Sequence, residues 1–253
     1  MNGRPDGHGA GIPLGHPRLH LRRTGSTNDR ARELAIAGAP HGTLVTASEQ
    51  TAGRGRQGRV WSAPAGSALL ASLVLRSPPP LLALISAVAV CDVAGPDAQI
   101  KWPNDIVLAR GGDSEPALGK LAGILIEGRP QEGWAVLGIG LNVAVRPEQF
   151  SPELRRTAAT LGLAPDAIES ILAALLQALQ RRLAEPDEAI LEAWRERDAL
   201  RGREIAWGQA DDTAPASHGR AEGVDGAGRL IIALPGGSHT SIDAGEVHLV
   251  AVA

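Results

Sequence analysis

The sequence predicts an α+β fold: a sheet-dominated body with helices between its strands, then a run of short strands that suggests a small barrel. Three observations predict it. Apolar segments of strand length recur between Leu19 and Val143, with Gly, Pro and Asn at their ends. Ile168, Ile171, Leu172, Leu175, Leu176, Leu179 and Leu183 then fall at helical spacing, which marks a core-facing helix. From Arg201 onward, short strand candidates are punctuated by Gly and Asp. A chain of 253 residues suits one main domain with a small appendage.

The elements follow in order. Leu19 to Arg22 alternates like a strand, and "TGSTNDRARELAIAG" reads as a turn entering a helix that ends at Gly38, capped by Ser26 or Thr27. Asn28 suits either ligand binding or helix capping, with capping preferred. "GTLVTASE" is a strand that delivers Glu49 and Gln50 to an Arg/Gly loop, and "GSALLASLVLR" is a second buried strand beyond it. Pro78 to Pro80 open a helix from Leu81. Three strand candidates come next, namely Gln99 to Trp102 with Ile106 to Leu108, Lys120 to Glu127, and Trp134 to Val143. Asp166 and Glu169 form a capping-box-like start to the striped helix, and a second helix covers about 187–200. "RAEGV", "RLIIAL", "HTSI" and "EVHLV" complete the terminal strands.

Composition excludes several classes of function. The formal net charge of -3 argues against a general nucleic-acid binder, which needs a basic face. The longest apolar run, Leu81 to Cys91, is too short to span a bilayer and fits a buried helix. Cys91 is the single cysteine, so it forms no internal disulfide and reads as a small buried hydrophobe. The polar, Gly- and Pro-rich start reads as a disordered leader rather than a signal peptide. Of the twenty-five Lys plus Arg, only Lys101 and Lys120 are lysines. Two ammonium groups in an otherwise arginine-only chain point to places that need a compact charge, although biased codon usage explains them equally well.

The stretch "TASEQTAGRGRQGRVW" sets Arg54, Arg56 and Arg59 among Gly53, Gly55 and Gly58 and closes on Trp61. Glycines let a backbone approach a ligand, and guanidinium groups chelate phosphate or carboxylate oxygens, so the loop suits an anion. It is neither a Walker A loop nor a Rossmann turn. An Arg/Gly segment by itself is equally compatible with a solvated loop, and its position between two core strands favours a site. In "IKWPNDIVL", a sharp turn can present Lys101, Asn104 and Asp105 together. "GKLAGILIE" puts Lys120 at the entrance to a strand whose small Ala122 and Gly123 leave room for a ligand, and "GIGLNV" adds Gly138, Gly140 and Asn142.

In this order and spacing, "STN", "EQTAGRGRQGRVW", "KWPNDI", "GKLAGILIE" and "GIGLN" resemble the bacterial biotin protein ligases, from about Leu19 to Ala251. The resemblance implies a central mixed sheet flanked by helices, like class II aminoacyl-tRNA synthetases, and a C-terminal SH3-like barrel. The implied divisions are a leader over 1–17, a catalytic domain over 18–200 and a terminal domain over 201–253. It also implies a cytoplasmic enzyme of the monofunctional type, without membrane attachment or specific DNA binding; a homodimer through the sheet stays open. The implied reaction is ATP-dependent activation of biotin to biotinyl-5'-AMP with release of pyrophosphate. Biotin then passes to one lysine of a biotin carboxyl carrier domain of a biotin-dependent carboxylase.

Carried over by motif, Ser26, Thr27 and Gln50 hold the biotin ureido ring, helped by the backbone at Arg54 and close approach at Gly123. Arg54, Arg56, Trp61, Asn104, Asp105, Lys120 and Asn142 bind the nucleotide. Lys120, Arg56 and Lys101 are the expected catalytic groups. Magnesium (Mg2+) is implied by the ATP chemistry with no metal ligand assigned. Gln57 departs from the family pattern, in which Arg is frequent at that place, and the "ARGGDSEPAL" connection is long. A lipoate or octanoate transferase shares the core but should lack "GRGRQGR" and "KWPND".

Overall fold

A computed structural model describes residues 13–110, 117–129, 132–208, 217–243 and 246–249. The first body is a mixed seven-stranded sheet in the order β1-β2-β3-β7-β6-β5-β4. Its strands are β1 (Arg18–Leu21), β2 (Leu44–Ala47), β3 (Ala68–Arg76), β4 (Ala98–Lys101), β5 (Asp105–Arg110), β6 (Ala117–Arg129) and β7 (Trp134–Asn142). Only β1 and β2 pair in parallel; the rest are antiparallel.

The central strands β3 and β7 are buried along almost their whole length, which is why they read as continuous apolar runs rather than alternating ones. One face of the sheet carries Leu69, Leu73, Leu75, Leu137, Ile139 and Leu141 into the main core. The helices α2 (Leu82–Ala94) and α4 (Ala167–Leu183) cover this face, and α5 (Asp187–Glu196) packs on α2 from outside. Because α2 is enclosed by sheet and helices, it is apolar all round, and its buried Ser86 satisfies its hydroxyl on Leu82 O at 2.6 Å. Cys91 lies fully buried within it, and desolvation pushes its thiol up to about 12. The expected stripe on α4 points Leu172, Leu175 and Leu179 into this core.

The opposite face is only half covered. The helix α1 (Thr27–Ile36) packs Ala31 and Ala35 against Val45, Val74, Trp134 and Val136. Along β7 the residues on this face run Trp134, Val136, Gly138, Gly140 and Asn142. Side chains vanish where α1 stops, and the cleft begins there.

The last strands, β8 (Glu204–Gly208), β9 (Ser217–Val224), β10 (Leu230–Ala233), β11 (His239–Ile242) and β12 (Glu246–Leu249), form an antiparallel sheet in the order β11-β10-β9-β8-β12. The expected small barrel is thus an open sheet among the described residues, with β11 and β12 at its two edges. It docks on the hairpin edge of the body. Trp102 Nε1 donates to Gly228 O at 3.1 Å, and the segment after α5 bonds to β4 through Ile100 N to Arg197 O at 2.7 Å and Ala199 N to Ile100 O at 2.9 Å.

Several local expectations need correction. Ser26 occupies the N-cap position of α1 with extended backbone, but its side chain makes no capping bond. Asn28 lies inside the helix and is no cap: its amide turns into the sheet. Asp166 likewise makes no side-chain cap for α4, and Glu169 instead accepts both Nη groups of Arg18 at 2.7 Å. A planar, two-bond ion pair across chain segments outcompeted a local cap. A short helix, α3 (Pro152–Arg155), stands where none was expected. Residues 1–12 of the expected leader lie outside the described residues, as do 111–116 of the long connection. The expected leader over 1–17 fails at Leu14, which is 6% exposed in the core. Among the described residues no helix is long and apolar enough to cross a membrane.

Candidate active site

The uncovered half of the sheet forms the floor of a cleft of about 580 Å³. Gly123 and Gly140 pair across β6 and β7, and Trp61 lies flat over them. A Cβ at Gly140 would sit 2.5 Å from Trp61 Cε2, and one at Gly123 3.2 Å from Cζ3. Glycine is required at Gly140 by this contact and not by backbone torsion.

Around the floor, the structure brings together every site residue that the sequence singled out: Ser26, Thr27, Gln50, Arg54, Arg56, Trp61, Lys101, Asn104, Asp105, Lys120, Gly123 and Asn142 all line the one cleft. At one end Gln50 Oε1 accepts from Thr27 N at 2.7 Å and Thr27 Oγ1 at 3.0 Å, leaving the Gln50 amide N–H groups for a ligand. Ser26, Thr27 and Asn28 are each at most 4% exposed. Ser72, fully buried on β3, lies 2.8 Å from Thr27 Oγ1 and donates to Asn28 Oδ1 at 2.6 Å. Ala122 does not open the cleft as expected; it faces the core.

The Arg/Gly loop forms one wall as a small hairpin. Arg54 bridges Val60, Gly55 N donates to Arg59 O at 2.7 Å, and Trp61 N donates to Gly53 O at 3.0 Å. A single 3-10 turn, Arg56–Gly58, makes its tip, where Gln57 takes a left-handed φ of 53°. Burial pushes the Arg56 guanidinium down from its ordinary range, with Asp105 opposing the shift.

Opposite the loop, the β4–β5 hairpin pairs Lys101 with Asp105. Asn104 is pinned to β6, its amide donating to Ile124 O at 2.9 Å while Ile124 N donates to Asn104 O at 2.9 Å. A β-bulge shifts the β5–β6 register, so Asp105 pairs with Gly123 and Ile106 with Ala122, but Val107 pairs with Lys120. Leu121 is the extra residue and, like Ala122, faces the core. Strict alternation would set Lys120 and Gly123 on opposite faces; the bulge puts both on the cleft. Lys120 Nζ then reaches Asp105 Oδ1 at 2.7 Å and stands 5.9 Å from the centre of the Trp61 ring.

Arg54, Arg56, Arg59, Lys101 and Lys120 line the cleft against the Asp105 carboxylate. The excess of cations makes it an anion site. Both lysines of the chain are here, which favours the functional reading of that pair over codon bias. Burial lowers the Lys101 pKa, and Asp105 counteracts this while Lys120 and Arg59 add to it. Four buried polar atoms of cleft residues, Arg54 Nε, Trp61 Nε1, Asp105 Oδ1 and Asn142 Oδ1, have no hydrogen-bond partner, although Asp105 Oδ1 keeps its ion pair with Lys120. An unsatisfied buried group costs about 1–3 kcal/mol, so their clustering on the residues of one cleft sets it apart from the ordinary core.

Sequence reasoning missed part of the lining. Phe150, Leu154, Thr157 and Ala158 come from the segment after β7, held by Lys120 N donating to Thr157 O at 2.7 Å. Val247, His248 and Leu249 come from β12 in the terminal sheet. His248 is pushed below the ordinary imidazole range by burial, then by Lys101 and Arg59. No local pattern marks either group: pairing with Lys120 brings in the first, and docking of the second sheet brings in Val247, His248 and Leu249.

Residues 20–143 match the Biotin/lipoate A/B protein ligase family and residues 202–250 the Biotin protein ligase C terminal domain. The biotin–[acetyl-CoA-carboxylase] ligase of Paracoccus denitrificans is 37% identical over 249 residues, covering 90% of this chain and 98% of that protein. The chain belongs to the biotin protein ligase family. The bifunctional ligase/repressor BirA of Bacillus subtilis is 42% identical over 151 residues, and that match spans 44% of its length. Among solved structures, the biotin protein ligase from Aquifex aeolicus in complex with biotin and ATP superposes with a TM-score of 0.74 over 94% of this chain and 100% of that one. At 23% identity, that likeness speaks to the biotin protein ligase fold alone.

Gly138 tests the packing at the biotin protein ligase cleft. An added Cβ would lie 2.1 Å from Asn28 Oδ1 and 2.8 Å from its Cγ. Gly138→Ala removes a strand glycine, a gain of about 0.5–1 kcal/mol, but expels a buried amide from its partners at about 1–3 kcal/mol. The expected net result is a lower urea midpoint; an unchanged or higher midpoint would show that Asn28 is free to move.

Proposed function

We propose that this chain is a biotin protein ligase that activates biotin with ATP and transfers it to a lysine of a biotin carboxyl carrier domain. The observation that carries the reading is the single cleft that joins an uncharged hydrogen-bonding end, Thr27 with Gln50, to an end lined by five cations. An acid with a polar neutral head and a nucleotide triphosphate need those two environments side by side.

In the proposed reaction, the ureido ring lies at Ser26, Thr27 and Gln50, and the valeryl chain runs past Gly123 toward the cation-lined end of the cleft. Its carboxylate oxygen attacks the α-phosphorus of ATP and pyrophosphate leaves, giving biotinyl-5'-AMP. Lys120 and Arg56 stabilise the charge that builds on the phosphate, with Lys101 and Arg54 beside them. Trp61 flanks the adenine, and Asn142 Oδ1 accepts from its amino group, while Asn104 and Asp105 take the ribose and phosphate side. The carrier lysine then attacks the acyl carbonyl as a neutral amine, AMP departs, and the amine proton passes to solvent.

Magnesium suits this donor set only as a triphosphate-bound ion. Among the described residues no three His, Cys, Asp or Glu side chains converge, and Asp105 is the carboxylate in the cleft. It would neutralise phosphate charge, with Asp105 as the protein group that would hold it. The reading extends to fold kinship, with a class II synthetase-like body and an SH3-like terminal domain, to divisions at 18–200 and 201–253, and to work in the cytoplasm on a carboxylase carrier without DNA binding. A homodimer through the sheet stays compatible with it.

Purified protein with ATP and magnesium should release pyrophosphate with biotin and not with lipoate or without an acid. Release with lipoate alone would assign the chain to lipoate transfer. Lys120→Ala should slow adenylate formation by about 100-fold or more, in line with loss of a preorganised charge at the reacting centre, with thermal stability little changed. An unimpaired rate would remove Lys120 from the chemistry. Because burial lowers the Lys101 pKa, its ammonium is lost at a lower pH than an ordinary lysine's. Adenylation should therefore fall on the alkaline side before ordinary lysines titrate, and Lys101→Arg should move that fall to higher pH; an unmoved limb would assign it to another group.

A further inference from the structure

"GKLAGILIE" ends on a residue to which the reaction above gives no task. Glu127, on β6, accepts from Arg54 Nη2 with both oxygens, at 2.8 and 2.7 Å, and from Asn28 Nδ2 at 2.8 Å. The same Arg54 Nη2 lies 2.9 Å from Asp29 Oδ1 in the first turn of α1. One nitrogen of the loop's first arginine is therefore held between two carboxylates that sit on separate elements.

An exposed ion pair by itself contributes little, because two flexible side chains must be frozen to make it. Here one partner is already frozen. Glu127 is 28% exposed and tied to Asn28, which is 4% exposed; Asn28 is tied to the fully buried Ser72, and Ser72 to Thr27. The carboxylate is thus the outer end of a hydrogen-bonded chain rooted under α1. Arg54 in turn begins the loop hairpin, through its bridge to Val60, so its position sets where Arg56 and Arg59 stand. The Nε of Arg54 is buried without a partner, so Nη2 is the nitrogen through which the side chain is held.

We propose that Glu127, with Asp29, is a positioning latch for the Arg/Gly loop: it clamps Arg54 against the sheet and so sets the loop's closed form over the reacting phosphate. The consequence for the reaction rests on the ligase reading; the latch itself does not. Glu127 touches no reacting atom and acts through Arg54.

The loop supplies its own probe, since trypsin cuts after arginine. Without any ligand, Glu127→Gln and Glu127→Ala should raise the rate of cleavage after Arg56 and Arg59 by about threefold to tenfold, the effect expected of a charged hydrogen bond discounted for partial exposure. Glu127→Asp should restore part of the protection. The urea midpoint of Glu127→Gln should stay near wild type, which a merely structural loss would not allow. Adding Glu127→Gln to Arg54→Ala should change nothing further, because the two act as one unit. In the ligase assay, Glu127→Gln should raise KM for ATP and speed release of biotinyl-5'-AMP by a similar factor, with kcat within about twofold. Cleavage at the wild-type rate, or additive effects in the double variant, would overturn the latch. If the wild-type protein makes no adenylate, the ligase reading fails, and the tryptic comparison still decides whether Glu127 holds the loop.

Discussion

A strip without side chains at the centre of the sheet sets the terms for everything else. Gly138 and Gly140 on β7, with Gly123 opposite on β6, leave bare backbone in the middle of a face that is otherwise covered. At Gly140 and Gly123 that bareness lets the Trp61 indole lie on the strands. At Gly138 it admits the Asn28 amide, and with it the N-terminal turn of α1. The same three positions thus create the cleft floor, fix the Trp61 wall and seat the polar network behind its other end. A methyl group at either β7 glycine would collide with a group that the site needs.

Charge is then distributed on that frame by geometry more than by composition. The chain is slightly acidic overall, yet the cleft collects five cations. Some are restrained by carboxylates that also aim them: Arg54 by Glu127 and Asp29, Lys120 by Asp105. Partial burial raises the cost of leaving Arg56 and Lys101 charged, as their lowered pKa values record, and an anionic ligand offsets that cost. The two lysines sit where compact charge serves, Lys101 on β4 paired with Asp105 and Lys120 on β6 bonded to its carboxylate, while the loop uses planar forks.

Much of this was legible in the sequence, and the failures have physical causes. Apolar runs, turn residues and the α4 stripe were local signals, and local signals fixed the order of strands and helices. The motif residues converge because they lie on strands, at a helix start or in short loops that face one side of the sheet. What the sequence concealed was non-local. Alternation alone would turn Lys120 away from Gly123; the bulge at Leu121 reverses that, and nothing in "GKLAGILIE" announces it. Asn28 looked like a cap because its neighbours suit a helix start, but a buried Ser72 on a distant strand claims its amide. Glu169 was drawn from a local cap to Arg18 for the same reason. His248 and its neighbours reach the cleft only because the terminal sheet docks through Trp102, a contact between segments far apart in the chain.

The central claim is that one cleft holds the acid at Thr27 and Gln50 and the nucleotide at Trp61, with the reacting phosphate between Lys120 and Arg56. A crystal structure determined after soaking with biotin and ATP tests it most directly. Continuous density along the cleft is expected, with the ureido ring on Gln50, the phosphate between Lys120 and Arg56, and Asn142 Oδ1 on the adenine amino group. Ligand density lying elsewhere on the molecule, or occupying this cleft with the ureido ring away from Gln50, would contradict it.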